Sequence, residues 1–334
     1  MNLLILGGTA FLGRAVAAEA LARGHDVACV ARGRSGEVPD SARLVVADRD
    51  QDDALDEIKQ QRWDVVVDVA RQPGHVRRAA RDLHAAADHA IFISTINVYA
   101  DTRTRGQDES ADLLPPLDDD FYEDMESYGP GKVSCEQAVL DHFGPERTAI
   151  VRPGLIGGPG DRSGRSGYWP WRFAHPSSPG GPVLVPAASG IPAQVVDVRD
   201  LASWVVDCAE RKRTGTFDAT GAGTTLAQTL AAAREVAAYD GDVTEVDDDW
   251  LLEQGVGQWA GPRSLPMWLA DPDLMGICDR PAKAARAVGL RCRPLTETFR
   301  DVLPYEERRD EQTPRAAGLT DDEERSLLTA YAKA

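Results

Sequence analysis

The sequence has little that would carry it into a membrane or onto nucleic acid. No apolar run approaches the roughly 20 residues that a bilayer-spanning helix needs. The short apolar stretch Leu3–Leu6 follows no charged segment, so it reads as a strand and not as a secretion signal. Basic residues are in deficit: 37 Lys and Arg stand against 54 Asp and Glu, a formal charge of −17. So acidic a surface repels phosphate backbones and anionic lipid, which argues against nucleic-acid and membrane partners. Cysteines are few and ill placed for bridging. Cys29, Cys135, Cys208, Cys278 and Cys292 are odd in number and scattered, and they read as reduced thiols of a cytoplasmic protein. The six histidines are equally dispersed, with none at a ligand spacing from a cysteine or carboxylate, so no metal site is expected. What remains is 334 residues, 43% hydrophobic and 27% charged: an ordinary globular composition, long enough for one large core or two unequal lobes.

Residues 2 to 24 organise the chain. The apolar run Leu3–Leu6 breaks into Gly7, Gly8, Thr9, Ala10, Phe11, Leu12 and Gly13, then becomes the helical stretch Arg14–Arg23. A strand feeding a helix through glycines lets backbone N–H groups and the positive helix end approach a diphosphate. Gly7 supplies the tight turn and Gly13 the close packing of helix on strand. Between them, where the fingerprint has a further glycine, stands Ala10, one methyl larger. A dinucleotide is therefore expected against Gly7, Thr9, Ala10, Phe11, Leu12 and Gly13.

Further strands follow at His25–Val30, Arg43–Ala47, Trp63–Val69 and Ala90–Ser94, with helices between them, including one over 75–87. That alternation predicts a doubly wound parallel sheet. The second strand ends at Ala31, where an acid would bind the adenosine ribose, and Arg32 and Arg34 follow. A guanidinium there would pair with a 2′-phosphate, favouring NADP(H) over NAD(H); alternatively both arginines are solvated loop residues. Asp48, followed by Arg49, either accepts from the adenine amino group or caps a helix starting near Asp52. Val69, Ala70 and Arg71, at the exit of the fourth strand, are expected beside the diphosphate and inner ribose.

Two clusters carry the chemistry. Ser94, Thr95, Ile96, Asn97, Val98 and Tyr99 lie at the carboxyl end of the fifth strand, where open α/β sheets bind ligands. About thirty residues on, Ser127 caps a helix holding Tyr128 and Lys132, four apart and so on one face. An ammonium near a phenol lowers the phenol's pKa toward working pH. Tyr128 can then exchange a proton with a substrate oxygen that Thr95 holds.

Taken together these residues resemble the short-chain dehydrogenase/reductase superfamily, in its extended branch of epimerases, dehydratases and reductases. The likeness runs nearly end to end: the glycine turn, Asp48, the hydroxyl cluster ending in Val98 and Tyr99, the Tyr128/Lys132 pair, Arg152 and Pro153, and the late Arg293, Pro294, Leu295. It implies a Rossmann-type domain with a smaller C-terminal substrate lobe. It implies Thr95, Tyr128 and Lys132 as catalytic residues, with Lys132 also on the nicotinamide ribose. The nicotinamide end is implied against Pro153–Leu155, and pairing into a homodimer through the helices around 75–87 and 125–143. One departure is informative. Nucleotide-sugar enzymes of this branch usually carry asparagine where this chain has Leu155, and its only asparagines are Asn2 and Asn97. An unpaired phosphate oxygen there costs on the order of 1–3 kcal/mol, which disfavours nucleotide-sugar substrates.

The nucleotide domain is expected over residues 1–155 with returning segments near 193–238, including a strand Gly215–Ala219 and a helix Thr225–Ala238. The substrate lobe takes about 156–192 and 239–334. Asp200 is expected to cap a helix over 201–211, and the tail from Thr320 to form a surface helix. Tyr168 and Trp169 either stack on substrate or pack the lobe, and Arg172 either meets a substrate anion or balances the acidic surface, as do Arg162 and Arg165. Asn97 is a further substrate-site candidate. The reading that follows is an NADP(H)-dependent oxidoreductase acting on a small molecule. Its rivals are an epimerase or dehydratase that retains NAD(P) and returns the hydride internally, and a non-catalytic cofactor-sensing or RNA-associated protein. Tyr128, Lys132 and the acidic charge count against the last.

Overall fold

The computed structural model describes residues 1–34, 36–309 and 315–333. Seven strands, β1 (Asn2–Leu6), β2 (Asp26–Ala31), β3 (Arg43–Val46), β4 (Trp63–Asp68), β5 (Ala87–Ile93), β6 (Thr148–Pro153) and β7 (Gly215–Ala219), form one sheet in the order β7-β6-β5-β4-β1-β2-β3. Every pairing in it is parallel, with Leu3 opposite both Val27 and Val65. The helices that concern the site are α1 (Phe11–Ala22), α2 (Pro73–Leu83), α3 (Tyr128–Phe143), α4 (Tyr168–Ala174), α5 (Val198–Glu210) and α6 (Leu226–Val236).

Parallel strands buried on both faces need continuous apolar runs, and alternate residues divide between the faces. Leu3, Ile5, Val65, Val67, Ile91 and Val151 face α1 and α5, meeting Val16, Ala20, Leu201 and Trp204. Leu4, Leu6, Val66, Ala90, Phe92 and Ile150 face α2 and α3, meeting Val76, Leu83, Val139 and Phe143. The strand order reverses between β1 and β4, which opens a crevice at the carboxyl ends of the strands. The glycine turn lies at that crevice.

A second cluster forms the smaller lobe: Tyr168, Trp169, Phe173, Leu226, Leu251, Trp268, Phe299 and Leu327. Several expectations are corrected here. Helix α6, with a capping box between Thr225 and Gln228, packs in this cluster and not on the nucleotide sheet, because Leu226, Leu230 and Ala233 line the face it buries. Asp197, not Asp200, caps α5; Asp200 instead accepts from Arg293 at 2.7 Å. No α-helix starts near Asp52. Only Leu55 and Ile58 bury there, enough for turns and a single 3-10 turn at Ile58–Gln60. Helix α2 ends at Leu83 and β5 starts at Ala87, which pairs with Trp63.

The C-terminal helix, Asp321–Tyr331, is capped by Thr320 and Glu323 and lays Leu327 into the lobe core, with Tyr331 edge-on to Trp250 at 5.0 Å. Leu327 is 2% exposed. Leu327→Ala is expected to cost about 2–4 kcal/mol, read as a lower urea midpoint with unchanged slope.

Candidate functional site

The glycine turn is built by close contacts. Gly7 has a φ of +98° and donates its N–H to the Val30 carbonyl at 2.8 Å. A Cβ on Gly13 would fall 2.3 Å from the Gly7 oxygen, so the helix start can rest on the turn only through glycine. Val69 packs against Gly7, while Thr9 and Leu12 are buried and Phe11 lies against Gly160. Ala10, exposed and extended, is the N-cap of α1; it supplies no side-chain cap, and no acid stands in the first turn. The helix N–H groups are thus unclaimed and no carboxylate repels an anion, so the cradle fits a dinucleotide diphosphate.

Beyond β2, Ala31 is half-buried and Arg32 exposed. Arg49 does not face outward. It pairs with Asp68 at 2.9 Å, because the carboxylate at the end of β4 needs a cation once buried. Asp48 accepts from the Asp50 N–H at 3.3 Å, a local turn contact, and Asp50 pairs with His75.

Thr95 caps the 3-10 turn Ile96–Val98, its Oγ1 accepting the Asn97 N–H at 3.2 Å. That contact uses the Asn97 backbone. Helix α3 descends onto this turn so closely that a Cβ on Gly129 would fall 2.3 Å from the Asn97 oxygen. The approach brings the Tyr128 phenol near the Thr95 hydroxyl, which favours the ionised phenol. Ser127 gives no side-chain cap; its hydroxyl donates to Asp124 at 2.6 Å. One turn on, Lys132 is buried and its Nζ donates to the carbonyls of Ala70, 2.8 Å, and Ile93, 2.6 Å, with the Phe92 ring centroid at 4.3 Å. Burial pulls this ammonium down to about 8.

The electrostatics differ from the sequence expectation. Burial pushes the Tyr128 phenol up, and the neighbouring Thr95 hydroxyl and the charges of Arg71 and Arg165 oppose it. Lys132 points away to the carbonyls at the ends of β4 and β5, so the nearby cations are the two arginines. Arg71 lies over two rings: its Cζ stands 5.4 Å from the Tyr128 centroid and 5.6 Å from that of Tyr122.

Behind the hydroxyls runs a buried chain of charge. Ser94 donates to Glu136, and Arg152 grips both Glu136 oxygens at 2.9 and 2.7 Å. Arg152 also donates to the Tyr99 hydroxyl at 2.9 Å, which donates to Asp218 at 2.7 Å. Arg280, from the second lobe, donates to the other Asp218 oxygen at 2.8 Å and lies 3.4 Å over the Tyr99 ring. Sequence reasoning missed Glu136, Asp218 and Arg280. Only Glu136 left a signal, four residues after Lys132 and so on the same helical face.

Three expected substrate residues are elsewhere. Tyr168, Trp169 and Arg172 are fully buried in the lobe core. Trp169 donates to the Pro266 carbonyl at 2.8 Å, and Arg172 holds the C-terminal helix through Asp321 and the Leu319 carbonyl. The aromatics went to packing because the C-terminal helix and the strand at Pro266 cover the face that carries them. Pro153 ends β6, paired with Ala219, and Leu155 is buried opposite Val195. Among the described residues no group of three or more His, Cys, Asp or Glu could hold a metal, no helix is long and apolar enough to cross a membrane, and the cysteines are unbridged.

A Rossmann-type sheet, an open helix terminus over a glycine turn and a Thr/Tyr/Lys constellation define a nicotinamide-nucleotide enzyme of the extended short-chain kind. The chain belongs to the NAD dependent epimerase/dehydratase family, whose model matches residues 3–217. No curated protein matches it. Among solved structures, UDP-N-acetylglucosamine 4-epimerase from Bacillus cereus is similar, with 16% identity and a TM-score of 0.66 over 94% of this chain and 99% of that one. UDP-glucose 4-epimerase from Thermus thermophilus, in complex with NAD, gives 17% and 0.63 over 92% and 99%. The UDP-Glc/GlcNAc 4-epimerase from Campylobacter jejuni gives 14% and 0.67 over 92% and 99%. At these identities the likeness is one of fold.

The lowered proton affinity of Lys132 has a defined stability signature. Between about pH 8 and the ordinary lysine value of 10.5, the unfolded chain binds a proton that the folded chain lacks, so this site makes stability rise with pH across that window. The stability of wild type minus that of Lys132→Met is therefore expected to grow there with a slope of up to about 1.4 kcal/mol per pH unit. Urea unfolding at a series of pH values measures it.

Proposed function

We propose that the protein is an NADP(H)-dependent oxidoreductase that reduces a carbonyl, or oxidises the corresponding alcohol, on a small molecule. The observation that carries this reading is the pair of neighbouring hydroxyls, Thr95 and Tyr128, at the carboxyl end of β5, where a Cβ on Gly129 would fall 2.3 Å from the Asn97 oxygen. Two hydroxyls converging on one oxygen suit a group that alternates between carbonyl and alcohol. Bound nicotinamide supplies or accepts the hydride. Tyr128 passes its proton to the carbonyl oxygen, or takes it from the alcohol, while Thr95 holds that oxygen by a hydrogen bond. Lys132 has three donors, two of them on carbonyls, which leaves the third for a cofactor ribose hydroxyl. The open N-terminus of α1 receives the diphosphate. A guanidinium in the position of Arg32, exposed beyond a strand that ends in alanine, would pair with a 2′-phosphate, which supports NADP(H).

A second reading is favoured by the family and by the epimerase names of its structural neighbours: internal redox with a retained cofactor. Leu155 counts against a nucleotide-sugar substrate, since its buried side chain offers no hydrogen bond to a phosphate oxygen. Cofactor content separates the two. A reductase arrives empty and binds free NADPH; an enzyme purified with stoichiometric NAD would move internal redox to first place.

Tyr128→Phe is expected to lower kcat by about a hundredfold to ten-thousandfold while leaving NADPH affinity unchanged. Unchanged turnover would remove Tyr128 from the reaction. Arg32→Ala is expected to weaken NADPH about tenfold to a hundredfold in a fluorescence titration, with NADH unaffected. Equal losses for both cofactors would exclude Arg32 as the reader of the 2′-phosphate.

A further inference from the structure

The sheet and α1 do not enclose the glycine turn alone. The loop 158–166, which leads into α4 of the smaller lobe, also reaches it: a Cβ on Gly160 would stand 3.5 Å from the Phe11 ring, at the first residue of α1. The segment beyond β2 closes in from another side. Arg14, in α1, donates from Nε to the Glu37 carbonyl at 3.2 Å. A Cβ on Gly36 would stand 3.3 Å from the Thr9 carbonyl oxygen and 4.0 Å from Nη2 of Arg162. The Arg162 guanidinium therefore lies beside the glycine turn, although the chain that carries it goes on into the other lobe.

The loop holds its shape with its own polar groups. Asp161, 5% exposed, accepts the Ser163 N–H at 2.8 Å, the Ser166 N–H at 3.3 Å and the Ser166 hydroxyl at 2.8 Å, while Ser166 Oγ accepts the Gly158 N–H at 3.3 Å. The acid next to Arg162 in the chain is thus spent inside the loop. Arg162 itself is exposed and has neither an ion pair nor a hydrogen bond among the described residues, in a chain where acids outnumber bases by 54 to 37. Its charge has been brought to the positive end of α1, whose first turn holds no acid. Like signs converging on one place repel, and an anion there removes the repulsion and takes up the free donors of both.

We propose that Arg162 binds a phosphate group of the nicotinamide dinucleotide, so that the smaller lobe takes part in holding the cofactor. The proposal rests on the reading of the glycine turn as a dinucleotide cradle, and on neither the substrate nor the direction of the reaction. A planar guanidinium suits the task, since it can give two parallel N–H bonds to one phosphate. Arg162 adds to the cradle what the turn lacks, a full positive charge beside its backbone donors.

Fluorescence titration of the full chain with NADPH and with NADH, after any bound nucleotide has been removed, decides it. Arg162→Gln is expected to weaken NADPH about tenfold or more. An equal loss for NADH assigns the contact to the diphosphate, and a loss confined to NADPH assigns it to the 2′-phosphate. Arg211→Gln takes the same charge from the exposed far end of α5 and is expected to leave both affinities unchanged. Since Arg162 is exposed and fastens nothing among the described residues, its variant is expected to fold as wild type does. Undiminished binding of both cofactors by Arg162→Gln, or a loss that Arg211→Gln reproduces, overturns the assignment while the cradle and the role of Tyr128 stand. Wild type that binds neither nucleotide removes the cofactor reading itself, and the role of Arg162 with it.

Discussion

The buried chain Glu136–Arg152–Tyr99–Asp218–Arg280 is the constraint on which the site depends. Two guanidiniums and two carboxylates have left water, at several kcal/mol for each ion, and such a set persists only when every member is paired and hydrogen-bonded. Here the charges balance two against two, and the Tyr99 phenol joins the halves by accepting from Arg152 and donating to Asp218. The chain fastens α3 to β6, β6 to β7, and β7 to Arg280 of the second lobe. The strap from residue 100 to 112 closes over it, with Glu109 accepting the Asp218 N–H at 2.8 Å and the Asp108 carbonyl accepting from Arg280 at 2.9 Å. Helix α3 and the end of β5 are therefore fixed together, and they carry Tyr128 and Thr95. The hydroxyls are set before any substrate arrives, which is the condition for electrostatic preorganisation.

That rigidity coexists with opposing pulls on the reactive phenol. Burial holds it protonated, which suits a group that must give a proton. The two arginines ease its ionisation once the proton has gone. Lys132 contributes by position: its ammonium joins the ends of two neighbouring strands beside the cofactor crevice. The division of labour between arginine charge and lysine anchoring follows from where the backbone carbonyls of Ala70 and Ile93 point.

Much of this was legible in the sequence because it is local. A parallel sheet announces itself in apolar runs such as Leu3–Leu6 and Val65–Val67, and the glycine turn in a spacing that few other structures require. The Tyr128/Lys132 pair was visible for the same reason, four residues on one helical face. What was not legible depended on partners distant in the chain. Arg280 and Asp218 stand 62 residues apart and neither has a neighbour that marks it. Tyr168, Trp169 and Arg172 looked like a binding surface because composition cannot say which face of a short helix is covered; the C-terminal helix, 149 residues on from Arg172 to Asp321, covers it. The orientation of Arg71 likewise depended on Tyr122, in a loop without regular structure.

The anchoring role of Lys132 bears on how relatives of this chain should be compared. Two backbone carbonyls would lose their donor if the lysine were replaced, so a descendant that abandoned the reaction would still be under pressure to keep it. Nothing of the kind protects Tyr128, whose hydroxyl holds no backbone group among the described residues. The tyrosine is thus free to drift once chemistry is lost, while the lysine is held by the architecture. In sorting working enzymes from binding proteins on this scaffold, the tyrosine is the discriminating residue, and a retained lysine is compatible with either.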